Sequence, residues 1–306
     1  SLWNTLENNY ATDLHSFTGQ VSATETAYAN ANHFNVGAWR QWEAAAPRLT
    51  ATATAVLGAP QDTNTPAGLT NVMAIAEGGD ADFGDFTLAL KADGTVVGWG
   101  QNQTGQTNIP SDLTNVVAIT AGDGFGLALK ADGTVIGWGL DDIGEATGVP
   151  NDVDPYISSV PVLIAGPQLT NVVALASGFY HSMALKADGT VVAWGDSGSG
   201  ETNVPPGLTN VVAIASGYSH CLALKADGTV VGWGDNYYHE ATSPAGLTNV
   251  VAIAAGDSFS LALKADGTVF GWGGNGVGQA TGVPNNVSPF ISSGLVTIAG
   301  QPWTNV

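Results

Sequence analysis

Apolar residues fall in short bursts along most of this chain, separated by breaks rich in glycine and proline. Three kinds of burst recur: a continuous one such as NVVAIAAG (249–256), an alternating one, LALK, and a β-branched and aromatic one, TVVGWG. All three favour strands over helices. Between the second and third kinds stands Ala-Asp-Gly-Thr. Asp tolerates turn positions and Gly supplies a positive φ, so the pattern predicts a β-hairpin with a G1-type bulge. The whole sentence, LALKADGTVVGWG at Leu88–Gly100, returns almost unchanged four more times.

Its lysines are Lys91, Lys130, Lys186, Lys225 and Lys264, the chain's only ones. They are spaced 39, 56, 39 and 39 residues apart, a period of 39 with one insertion of 17. A period of this size marks a solenoid, a propeller or an array. Linkers such as GQTNIPSDLTNV (Gly105–Val116) and GETNVPPGLTNV (Gly200–Val211) break the ladder with proline and glycine, and TNV opens the next strand. Three or four short strands per unit, joined head to tail, suit the blades of a β-propeller, where neighbours cover faces that no unit buries alone. Each lysine is expected to lay its stem over aliphatic neighbours and keep its ammonium beside the turn aspartate. Trp99, Trp138, Trp194, Trp233 and Trp272 share one repeat position and read as wedges between neighbouring sheets.

GYSHCLALKADGTVVGWGDN (Gly217–Asn236) and GFYHSMALKADGTVVAWGDS (Gly178–Ser197) resemble repeats of the regulator of chromosome condensation superfamily. The short period and the G(Q/E)TxVP linker are closest to its bacterial branch with the propeller-type β-lactamase inhibitory protein. The resemblance covers roughly residues 69–306. It implies a seven-bladed, all-β propeller of which five units and an unfinished one are legible, the repeat domain taking residues 67–306.

Two features depart from the pattern. The segments GEATGVPNDVDPYISSVPVLIAGPQLTNV and GQATGVPNNVSPFISSGLVTIAGQPWTNV follow Trp138 and Trp272, and in each the final valine stands 34 positions after the tryptophan. Such a repeated long linker predicts an extra hairpin or loop on one rim, packed down by Tyr156 and Phe290. The chain also stops at Val306, where each earlier unit begins its first strand, so the last blade reads as unfinished. Residues 1–66 do not read as blades. TETAYANANHF and AWRQWEAAA hold good helix formers, and Pro47 ends the second. This arm is open to four readings: a degenerate blade around Trp39, a separate interaction segment, a strand that closes the ring, or a piece of a larger parent. Open strand edges at both ends invite pairing with another chain.

Charge narrows the partners. The chain carries 26 acids against 7 bases, a formal net charge of −19. Nucleic acid and anionic membrane surfaces need clustered cations, so neither is expected. The acids show no run of five or six like charges and read as solubilising surface. Cys221 is the only cysteine, which excludes an intrachain disulfide. No apolar stretch is long enough to span a membrane. Ser1 opens the chain without a signal-peptide pattern, which fits a leader already removed.

Candidate chemistry is sparse. His181 and His220 hold one position in adjacent units and read as buried and hydrogen-bonded rather than metal-binding. Cys221 beside His220 cannot form a dyad with it, since strand neighbours point to opposite faces. The acidic loops LDDIGE (Leu140–Glu145) and NDVDP (Asn151–Pro155) lack EF-hand spacing and read as solvated surface. No nucleotide loop, HExxH or GxSxG occurs, so neither an enzyme nor a cofactor is expected.

What varies between repeats is the loop joining the first two strands: GGDADFGDF, GDGFG, GFYHS, GYSHC and GDSFS. These loops are expected on one rim, carrying Phe83, Phe125, Phe179, Tyr180, Tyr218 and Phe259. Aromatics on variable loops over a constant scaffold point to a binding surface, with channel plugging as the rival reading. The leading expectation is a non-enzymatic exported propeller, extracellular or at the cell surface, that binds a protein or glycan through this rim. The alternative is a structural subunit of a filament or surface layer, binding copies of itself by strand complementation between the N-terminal arm and the unfinished blade. A nucleotide exchange factor for a small GTPase rests on the family name alone.

Overall fold

Each thirteen-residue sentence folds as the hairpin its turn chemistry demands. The structure, a computed structural model, describes residues 66–79, 85–151, 157–163, 167–283, 285, 291–298 and 301–302. In the first repeat Gly94 N donates to Lys91 O at 2.9 Å and Lys91 N to Thr95 O at 2.8 Å. Gly94 sits at φ 78°, the bulge glycine of a three-residue hairpin loop. The Asp93 carboxylate accepts from Thr95 N at 3.1 Å and from its hydroxyl at 2.6 Å. The same clamp closes Asp132–Thr134, Asp188–Thr190, Asp227–Thr229 and Asp266–Thr268. Lysine Nζ lies beside the turn aspartate at 3.1 Å for Lys91, 3.4 Å for Lys225 and 3.3 Å for Lys264. These exposed pairs add little stability.

Antiparallel sheets repeat this hairpin. β1 (Val72–Gly78), β2 (Phe86–Lys91) and β3 (Val96–Gly100) form the first. β4 (Val116–Ala121), β5 (Phe125–Lys130), β6 (Val135–Leu140) and β7 (Ile157–Pro161) form the second. The third holds β8 (Val172–Ser177), β9 (His181–Lys186) and β10 (Val191–Gly195). The fourth holds β11 (Val211–Ser216), β12 (His220–Lys225) and β13 (Val230–Gly234). The fifth runs β14 (Val250–Ala255), β15 (Phe259–Lys264), β16 (Val269–Gly274) and β17 (Ile291–Leu295), and a small hairpin, β18 (Thr297–Ile298) with β19 (Gln301–Pro302), follows.

The two long linkers do more than make a rim hairpin. Each first adds a fourth strand: β7 pairs with β6, setting Ser159 opposite Trp138, and β17 pairs with β16, setting Ser293 opposite Trp272. A tight reversal comes afterwards, as the bridge Leu163–Gln168 in one and β18–β19 in the other.

The TNV segment is a joint. Asn115 takes φ 58° and Asn210 and Asn249 take 58° and 59°, a left-handed conformation that asparagine tolerates better than other side chains. This kink lets Val116 N reach Gly94 O at 3.2 Å, Val211 N reach Gly189 O at 3.1 Å and Val250 N reach Gly228 O at 3.3 Å. Every such bond ties a first strand to the hairpin turn of the repeat before it.

Neighbouring sheets bury each other's faces. Phe86, Leu88, Leu90 and Val96 pack with Val116, Ala128 and Trp138 between the first two sheets. Leu222, Leu224 and Val230 pack with Val250, Ala262 and Trp272 between the last two. Trp138 and Trp272 are wedges, as expected, and three of the tryptophans are also pinned: Trp138 Nε1 donates to Gln106 O at 2.8 Å, and Trp233 and Trp272 donate to Glu201 O and Glu240 O at 2.7 Å. The described residues divide into two compact units, up to Leu175 and from Ala176, the division falling inside β8. No helix among the described residues is long and apolar enough to cross a membrane. The helical segments read in residues 1–66, Phe83, Tyr156, Phe290 and the unfinished last blade lie outside the described residues.

Candidate interaction surface

Every sheet has two unlike ends. One carries the constant Lys-Ala-Asp-Gly-Thr turn. The other carries the variable loop between the first two strands, and the third strand ends beside that loop: Asp196 N donates to Tyr180 O and Asp235 N to Ser219 O, both at 2.8 Å.

In the second unit the variable loops are laced together. Phe179 N donates to Tyr218 O at 3.1 Å, and Tyr218 N donates to Asp257 O at 3.3 Å. Phe179, Tyr218 and Asp257 therefore stand in a row, one step per repeat. The Phe179 and Tyr218 rings stack at 4.0 Å between centroids and 19° between planes, and Tyr180 meets Phe179 edge-on at 4.3 Å. Tyr218 is 45% exposed. The Asp257 residue is exposed, although neighbouring atoms remove part of its carboxyl's water and raise its pKa.

Phe125 and Phe259 do not join this surface. They are 0% and 6% exposed, as the first residues of β5 and β15. Their repeat position is that of Phe86, His181 and His220, where the ring turns inward; Phe259, His181 and His220 lie over Gly256, Gly178 and Gly217. The loops are shorter than the sequence suggests, and the equivalents of Phe179 and Tyr218 are Asp123 and Asp257. Of the six aromatics expected on the rim, Phe179, Tyr180 and Tyr218 come together.

The histidines are buried and hydrogen-bonded, as expected. His181 Nε2 lies 2.6 Å from Ser216 Oγ and 3.2 Å from Cys221 Sγ. His220 Nε2 lies 2.9 Å from Ser260 Oγ, which donates to Glu240 O at 2.8 Å. Burial pushes the imidazoles down to about 4 and about 3, and raises the Cys221 thiol well above its usual range. Cys221 thus meets the histidine one repeat back rather than its sequence neighbour. Both partners are neutral, so the contact is not a thiolate–imidazolium pair.

Sequence reasoning missed the acceptors of the linkers, four of them buried and Gln279 half-buried. A side-chain oxygen of Gln106, Glu145, Glu201, Glu240 and Gln279 accepts from the backbone N–H two residues earlier, at 2.7–3.1 Å. The free exchange of Gln and Glu was the available signal, because only a shared oxygen acceptor tolerates both. Burial raises Glu145 to about 8 and raises Glu240 as well. Asp141, read as solvated surface, is 0% exposed. Its carboxylate closes its own linker by accepting from Ala146 N, Thr147 N and the Thr147 hydroxyl at 2.6–3.1 Å. Among the described residues no group of three His, Cys, Asp or Glu is placed to hold a metal.

Comparison with known proteins follows the same repeats. The family model described as regulator of chromosome condensation (RCC1) repeat matches residues 84–106, 116–142, 172–201, 211–240 and 250–279. No curated protein matches the sequence. Among solved structures, yeast RCC1 (Prp20) bound to Kap60 is 25% identical, with 77% of this chain and 64% of that chain covered and a TM-score of 0.56. Prp20p from Saccharomyces cerevisiae, described with its binding to Gsp1p and histones, is 24% identical over 77% and 66%, with a TM-score of 0.57. Human WBSCR16 is 22% identical over 76% and 66%, at 0.56. The chain spans about two thirds of the length of these structures. The likeness shows the fold, a β-propeller of 39-residue repeats.

Proposed function

We propose, from the premise that this chain belongs to the regulator of chromosome condensation (RCC1) repeat family, that it is a non-enzymatic propeller that binds a protein partner through the variable-loop end of its second unit. The observation that carries the reading is the stacked Phe179–Tyr218 pair, placed on loops that differ between repeats while the opposite turns stay constant. An exposed aromatic on a rigid scaffold supplies contact area at low entropic cost, which is how interface anchors work. The yeast relatives are described with Kap60, Gsp1p and histones, all proteins, which favours a protein over a glycan. Placement outside the cell belongs to the same proposal and rests on the likeness of the repeat and linker to exported bacterial propellers. The strand-complementation reading depends on terminal residues outside the described ones and has no observation in its favour.

Affinity capture from the source organism tests the reading. A bound protein should be recovered by the wild-type chain and lost, by about tenfold or more, on Tyr218→Ala combined with Phe179→Ala, as for a hot-spot pair. Asp227→Asn at the turn end should leave it bound. A partner retained equally by all three chains would overturn the rim.

A further inference from the structure

The variable-loop end of the second unit differs from the turn end in charge as well as shape. At the turns each aspartate has a lysine two residues before it: Lys186 with Asp188, Lys225 with Asp227, Lys264 with Asp266. Every lysine of the chain ends a second strand and so stands at a turn. The two arginines, Arg40 and Arg48, lie outside the described residues. The loop end of this unit therefore holds Asp196, Asp235 and Asp257 with no lysine or arginine among the described residues, beside the exposed Tyr218, Tyr237 and His239. What sets the loop end apart is that its aspartates, unlike those of the turns, have no lysine two residues before them.

The order within the row gives the second half of the argument. Phe179, Tyr218 and Asp257 are joined backbone to backbone, so the residue that follows the two stacked rings in the row is an aspartate. A ring face attracts a cation, and a carboxylate beside it accepts charge-assisted hydrogen bonds. A flat, delocalised cation with parallel N–H donors satisfies both at once. An ammonium is compact and strongly hydrated, and does so less well.

We propose that the Phe179–Tyr218–Asp257 row is a docking site for an arginine side chain presented by the protein partner. The guanidinium plane lies on the exposed face of Tyr218 and its N–H edge meets the Asp257 carboxylate. Asp196 and Asp235 add a field that draws basic segments to this end and raises the rate of encounter.

The inference rests on the rim reading above, and its failure is separable from that one. The full chain is titrated at physiological salt with capped, fluorescein-labelled tetra-arginine, tetra-lysine and tetra-citrulline peptides, binding being read by anisotropy. Tetra-arginine should bind about fivefold more tightly than tetra-lysine, because the two peptides share charge and differ in planarity. Citrulline, with the shape but not the charge, should bind weakest. Tyr218→Ala and Asp257→Asn should each weaken the arginine peptide about three- to fivefold, and Tyr218→Phe should keep its affinity. Asp227→Asn should change it less than about twofold. Equal binding of arginine and lysine peptides, or an arginine preference that survives both Tyr218→Ala and Asp257→Asn, would overturn arginine recognition. If the arginine preference fails while Tyr218 and Phe179 still govern capture of the partner, the rim stands and only its ligand chemistry is wrong. If capture ignores those residues too, the rim reading falls with it.

Discussion

Gly137→Ala is expected to destabilise the protein by about 3 kcal/mol, while the equivalent Gly98→Ala costs no more than about 1 kcal/mol. Both glycines precede the recurring tryptophan of their repeat by one residue, in β6 and β3. A Cβ at Gly137 would overlap the backbone carbonyl of Ala146. That carbonyl has little freedom to retreat, because Ala146 N is held by the Asp141 carboxylate at 3.1 Å. A Cβ at Gly98 meets Thr107 Cα at 3.2 Å and only the far ends of Ile109 and Leu88 at 3.3 Å. The repeats contain their own control: alanine occurs naturally here as Ala193, where Thr202 stands in the place of Ala146. Gly232 and Gly271, facing Ala241 and Ala280, belong with Gly137. Denaturant midpoints of the two variants measure the difference, and equal midpoints would show that the linker yields more readily than its hydrogen bonds suggest.

Acid should unfold the wild-type chain at a pH where a His181→Phe/His220→Phe variant still holds. Both imidazoles have folded-state pKa values depressed below 6.5, to about 4 and about 3, chiefly by burial. A depressed value means the unfolded chain takes up protons first. Stability from these groups is present above pH 6.5 and lost as pH falls through about 4 and then about 3. At about 1.4 kcal/mol per pKa unit, the combined loss once both imidazoles are protonated is on the order of 8 kcal/mol. Phenylalanine suits the site because Phe86, Phe125 and Phe259 occupy it in the other repeats. The variant leaves Ser216, Cys221 and Ser260 without their imidazole partners, so its stability near pH 7 should be lower by about 1 kcal/mol per lost bond. The slope with pH is therefore the readout, not the level. Glu145 works in the opposite sense: its folded value is raised to about 8, so its contribution is present below 4.5 and fades as pH rises through about 8. It is common to both chains and cancels in the comparison. Stability curves of equal slope between pH 7 and 4 would contradict the account.

The strands, turns and wedges were legible because each has a local cause. Asp-Gly fixes the hairpin, alternation fixes the register, and a period of 39 residues fixes the neighbour that each face meets. The fourth strands were not legible. ISSVP and ISSGL become strands because β6 and β16 offer them an edge, which is a tertiary reason. The rim was half legible. Phe179, Tyr180 and Tyr218 were correctly set on loops, but Phe125 and Phe259 are separated from them by only one or two repeat positions, and that step turns a ring from solvent to core. The acceptor role of Glu145, Glu201 and Glu240 was hidden because burial, not residue type, converts a surface acid into part of a linker. The contact between Cys221 and His181 spans 40 residues and no local pattern encodes it.

The most direct test of the binding surface is site-specific photo-crosslinking in the presence of the partner's source extract. A photoreactive phenylalanine analogue is placed at position 218 in one chain and at position 227 in another, and adducts are identified by mass spectrometry. The account predicts one dominant protein adduct from position 218, centred on a peptide that contains arginine, and none of that species from position 227. The same adduct from both positions, or an adduct from position 227 alone, would contradict it and move the functional surface to the constant turns.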